Sequence, residues 1–130
     1  MDFHVGQNIA TVISLSDGTA SLYTTSTFGI IGGAGHAPVR DAARRFVKAA
    51  DRYFDDTSPI SSHPYPAKDK VRFYLLGYEG LRSVEVDEAP IYAGTGKFSP
   101  LFGEGQNVLT ELRLAHERMG GAPTDKPANH

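Results

Sequence analysis

The chain contains no cysteine. That single absence removes disulfide staples, thiolate nucleophiles, iron–sulfur ligation and cysteine-type zinc sites together. Long hydrophobic runs are also missing. A membrane helix needs roughly 20 consecutive apolar residues, the runs here are a few residues long, and the C-terminus carries no lipidation signal. The opening Met1-Asp2-Phe3-His4-Val5-Gly6 lacks a positive segment followed by an apolar core, so it does not read as a secretory signal, and a cytoplasmic location is expected. An excess of one charge is lacking too. Thirteen Lys+Arg stand against 15 Asp+Glu, a formal net charge of -2. No broad electrostatic grip on nucleic acid or an anionic membrane is expected.

What is present suits a globular domain. The 130 residues are 40% hydrophobic and 22% charged, with 7 Phe and 6 Tyr to fill a core. A chain of this size buries roughly two thirds of the surface its unfolded form exposes. Residues 1–119 are expected to form one domain. Residues 120–130, with two prolines and no apolar periodicity, are expected to be a disordered tail.

Residues 8–16 alternate as a strand, with Ile9, Thr11, Ile13 and Leu15 on one face and Ala10, Val12 and Ser14 on the other. Asp17-Gly18 fits a tight hairpin turn, and a long hydroxyl-rich strand is expected from Thr19 to Ile31. After Gly32-Gly33-Ala34-Gly35, the recurrence of Val39, Ala42, Ala43, Phe46, Val47, Ala50, Tyr53 and Phe54 predicts an amphipathic helix over 38–54, with Pro38 in its first turn. Residues 55–70 hold Pro59, Pro64 and Pro66 and read as a surface connector.

A second hairpin follows, with strands at 71–76 and 81–88 around Gly77-Tyr78-Glu79-Gly80. Ala89-Pro90 interrupts it, and Ile91-Tyr92 is expected to resume the ladder before Gly94-Thr95-Gly96. Ser99-Pro100 opens a helical region with Val108, Leu109, Leu112, Ala115 and Met119 as its stripe and Gly120 as its stop. Gly103 and Gly105 each cost up to about 1 kcal/mol in a helix interior, so the regular helix is expected from Gln106.

Sliding the chain by 62 residues lays Gly18 on Gly80, Gly32 on Gly94 and Pro38 on Pro100. The halves 8–54 and 70–119 therefore read as pseudo-repeats, with true duplication and independent use of the same punctuation both open. The expected fold is α+β: two β-β-α units forming one antiparallel sheet of four to five strands, with two main helices packed on one face. The other face is left to solvent, to the 55–70 connector or to a second copy of the chain. The arrangement resembles profilin-like and roadblock-like modules in topology, with no shared motif.

Two places offer themselves to a ligand. Gly32, Gly33 and Gly35 precede a helix start whose amide groups face outward, and His36 and Arg40 add donors, so an anion or phosphate group fits there. Gly94, Gly96 and Lys97 occupy the corresponding position in the second half. The alternative is that both segments are turns, because neither has the spacing of a Walker or dinucleotide loop. The 5 histidines show no metal-ligand spacing, no Gly-x-Ser-x-Gly elbow is present, and no catalytic residue, metal or cofactor is assigned. The acidic Glu85, Asp87 and Glu88 read as a solvated strand edge.

The leading expectation is a noncatalytic protein-interaction module acting as a homodimer through a sheet face or edge, with a protein partner also in view. A small anionic ligand at the glycine-rich turns is the alternative.

Overall fold

A computed structural model describes residues 1–26, 29–32 and 35–118, and for residues 31 and 32 the backbone alone. The architecture is α+β. A seven-stranded antiparallel sheet takes the spatial order β4-β3-β2-β1-β6-β7-β5. Its strands are β1 (Asp2–Val5), β2 (Asn8–Ser14), β3 (Ala20–Thr24), β4 (Gly29–Gly32), β5 (Ser58–Pro59), β6 (Lys70–Gly77) and β7 (Gly80–Asp87). The helices are α1 (Ala37–Asp51), α2 (Glu88–Ala93) and α3 (Ser99–Arg118), with a 3-10 turn at Phe54–Asp56. The expected four to five strands are thus seven, and the two helices are three.

Both hairpins form where the sequence places them. Gly18 has φ +95°, and a Cβ there would lie 2.3 Å from Arg40 Cγ, so its position needs glycine for conformation and for space. Asp17 Oδ1 accepts the Thr19 N–H at 2.8 Å and locks this turn, and that donation holds the Asp17 carboxyl below its ordinary value. The long strand expected over residues 19–31 is two strands, β3 and β4, paired from Ala20↔Gly32 to Tyr23↔Gly29.

Met1–Gly6 has no assigned element in the sequence reading, yet it supplies the centre of the sheet. β1 pairs with β2 through Asp2↔Thr11, Phe3↔Ala10, His4↔Ile9 and Val5↔Asn8, and with β6 through Asp2↔Arg72. Val12 N–H donates to Met1 O at 2.9 Å and Val12 O accepts the Met1 amino group at 3.0 Å.

Register explains the core. Phe3, Ala10, Val12, Ala20, Leu22, Ile30, Val71 and Phe73 share one sheet face and are buried. Helices α1 and α3 pack against each other and on β2 and β3. Their contact stripes are Val39, Ala42, Ala43, Phe46 and Ala49 on α1, and Leu101, Gly105, Val108, Leu112 and Ala115 on α3. Phe98, just ahead of α3, stacks on Phe73 at 5.6 Å and meets Tyr53 at 4.9 Å.

Three further expectations change. Helix α1 stops at Asp51, and Phe54 lies in the 3-10 turn beneath the Arg82 guanidinium, 4.3 Å from its ring. The segment at Ile91-Tyr92 is helix α2 rather than a resumed strand, closed by Gly94 at φ +75°. Helix α3 begins at Ser99, ahead of Gly103 and Gly105, because Gly105 is a contact: a Cβ there would sit 2.6 Å from Met1 Sδ and 3.1 Å from Phe46 Cζ. The connector also carries β5, which pairs with β7 at Ser83 and Arg82. Met119, the stop at Gly120 and the tail at 120–130 lie outside the described residues. At an offset of 62, β2, β3 and α1 fall on β6, β7 and α3, while β4 falls on the end of α2.

Candidate functional site

The first glycine-rich turn joins β4 to α1. Gly32 ends β4, Gly33 lies outside the described residues, and a Cβ at Gly35 would meet nothing within 4 Å. His36 is the N-cap of α1 with φ -106° and ψ 117°, and its side chain makes no capping hydrogen bond. Its carbonyl accepts the Arg40 N–H at 3.0 Å. The stem of Arg40 lies against Gly18, in the β2–β3 turn. The nearby Arg44 Nη2 donates to Asp17 O at 3.3 Å, so two arginines of α1 engage that turn.

In the second half the corresponding groups have structural work. Gly94 is the left-handed C-cap of α2. Gly96 N–H donates to Pro90 O and to Ser99 Oγ, each at 3.1 Å, and a Cβ on it would lie 3.0 Å from Pro90 Cβ. Lys97 Nζ donates to Asp56 Oδ1 at 2.6 Å, and Lys97 O accepts the Tyr53 hydroxyl at 3.0 Å. A cleft of about 370 Å³ lies beside this turn, bordered by Val86, Pro90, Ile91, Gly96 and Phe98, with Lys70 and Lys97 at its rim.

The sheet face away from the helices divides in two. Over β1, β6 and β7 it carries a polar row and a strap. Arg72 donates to Ser83 Oγ at 2.8 Å and to Glu85 Oε2 at 3.2 Å, and Glu85 Oε2 also accepts Ala67 N–H at 3.1 Å. His4 Nε2 lies 2.8 Å from Ala67 O and 3.2 Å from Pro66 O. The Tyr74 hydroxyl donates to Pro64 O, and partial burial raises its pKa. Residues 60–68 therefore lie across this half, with Pro66 buried. The expectation of a solvated Glu85 is corrected: its carboxylate is held between Arg72 and the strap. Asp87 pairs with Lys70 and is exposed.

Over β2 and β3, none of the described residues crosses the same face. Ile13 is 42% exposed, Leu15 50% and Tyr23 39%, with Ile9, Thr11 and Ser21 beside them. The hydrophobic periodicity of β2 makes Ile9, Ile13 and Leu15 look like core. The opposite face is the buried one: Ala10, Val12, Ala20 and Leu22 are at most 2% exposed where α1 and α3 pack on β2 and β3.

No protein-family model, curated protein or solved structure matches the chain. The site therefore rests on its own geometry. Among the described residues, no group of three or more His, Asp or Glu is placed to hold a metal, and no helix is long and apolar enough to cross a membrane.

Proposed function

We propose that the chain is a noncatalytic protein-interaction module that works as a homodimer, with the face of β2 and β3 away from the helices as its contact surface. The observation that carries this reading is the group Ile13, Leu15 and Tyr23, exposed at 42%, 50% and 39% on a sheet face whose other half carries the strap of residues 60–68. Contiguous exposed apolar surface of this kind marks interaction sites. The residues of the patch are uncharged, so a two-fold contact brings no like charges together. Two-fold pairing is also the commonest closed assembly.

Light scattering during gel filtration, over a range of concentrations, tests it. The unsubstituted chain is expected at twice its monomer mass. Ile13→Asp with Tyr23→Asp is expected at monomer mass and still folded by circular dichroism, with a melting midpoint that no longer rises with protein concentration. A chain that stays monomeric at every concentration overturns the reading.

The second reading is a small anionic ligand at Gly32, Gly35, His36 and Arg40. Its support is the start of α1, where the His36 side chain makes no capping hydrogen bond to the first amides. A melt screen against phosphate-bearing metabolites tests it, because a ligand at 100 times its Kd adds about 2.7 kcal/mol. A flat panel removes this reading.

A further inference from the structure

The outer edge of β7 is only partly used. In a two-residue hairpin the closing pair is hydrogen-bonded, so Gly77↔Gly80 sets the alternation along β6 and β7. By that register Leu81, Ser83, Glu85 and Asp87 turn their main-chain groups away from β6. The bond from Ile60 N–H to Leu81 O at 3.0 Å agrees with it. The chain's own β5 runs antiparallel on this edge but pairs only with Ser83 and Arg82. Before β5 the backbone leaves in the 3-10 turn at Phe54–Asp56, and among the described residues no strand continues the ladder toward Asp87.

The space beside this remaining edge is the cleft of about 370 Å³, walled by Pro90, Ile91, Gly96 and Phe98. The charged groups lining it are paired, Lys97 with Asp56 at 2.6 Å, Glu85 with Arg72 at 3.2 Å and Lys70 with Asp87. The site thus offers outward main-chain donors and acceptors, an apolar wall and no net charge. We propose that this edge binds an extended, uncharged peptide strand, which adds antiparallel to β7 at Glu85–Asp87 in line with β5. Main-chain hydrogen bonds would hold such a peptide, and the wall would take one alternate apolar side chain. This proposal is independent of the two-fold contact on β2 and β3.

Asp87 permits a clean test. Its φ of -67° and ψ of 137° already suit proline, and its side chain makes no capping bond to α2. Asp87→Pro removes the outward N–H, whereas Asp87→Asn keeps it while removing the same charge. The probe is the peptide acetyl-Thr-Val-Thr-Val-Thr-amide, titrated into isotope-labelled protein and followed by amide chemical shifts and hydrogen exchange. Expected are shifts at Glu85, Val86 and Asp87, slowed exchange of the Glu85 and Asp87 amides, unchanged affinity for Asp87→Asn and a Kd about tenfold higher for Asp87→Pro. Should Asp87→Pro fail to fold, the exchange of those two amides in the unsubstituted chain decides. Shifts confined to other strands, equal binding by the two variants, or self-association through this edge without peptide would each overturn the proposal.

Discussion

Gly103 and Gly105 lie in the same helix and face opposite ways. Gly103 is exposed and a Cβ there meets nothing within 4 Å, whereas Gly105 is buried against Met1 and Phe46. Gly103→Ala is expected to raise stability by up to about 1 kcal/mol through helix propensity. Gly105→Ala is expected to lower it by roughly 1–3 kcal/mol through overpacking. Urea denaturation of both variants checks the pair, and like signs would refute the contact read for Gly105. The sequence shows two glycines with the same intrinsic penalty. What separates them is the side chain of Met1, more than a hundred positions away, and no local reading of α3 contains it. His36, Arg40 and Lys97 were legible as candidate donors for a similar reason: residue type and nearby glycines can be read directly. Their partners could not be, because Asp56 and Gly18 reach Lys97 and Arg40 only through the tertiary fold.

At the level of elements, the β2–β3 hairpin combines a conformational requirement with an ionisable one. The Asp17 carboxylate accepts from Thr19, and its pKa lies below the ordinary 3.8. A carboxyl depressed in the folded state contributes stability that is present above the unfolded value and lost as pH falls through the folded one. Asp17→Ala is therefore expected to melt lower than the unsubstituted chain at neutral pH. The gap should close in acid, below about pH 3.8. Thermal melts of both proteins across that range decide it, and a gap independent of pH would place the effect elsewhere. This hairpin, the β6–β7 hairpin and the bodies of α1 and α3 were legible because turn chemistry and periodicity are local. The segment Glu88–Ala93 was not. Its six residues are too few to establish a helical period, and Pro90, which breaks a strand ladder, sits comfortably in the first turn of a helix. β1 escaped notice for the complementary reason: four residues give no alternation long enough to recognise.

For the whole molecule, the deepest packing lies where the sheet meets α1 and α3. Val12, Val39, Val71 and Val108 are at most 1% exposed, and Phe73 is 2% exposed between the sheet and Phe98. Phe73→Ala is expected to cost about 3–5 kcal/mol, measurable as a shift of the denaturation midpoint. The amide of Val12, bonded to Met1 O in the centre of the sheet, is expected to exchange with solvent only on global unfolding. Faster exchange there than on β4 would contradict the central place given to β1.

That central place also bears on how the molecule is made. Residues 1–51 contain β1 to β4 and α1, but the second side of β1 is filled by Arg72 of β6, seventy residues along the chain. During synthesis the first half therefore waits with an open strand edge until the second hairpin has been translated. An unpaired edge of this kind favours pairing with a neighbouring nascent chain, so the order of synthesis itself carries a hazard of misassembly.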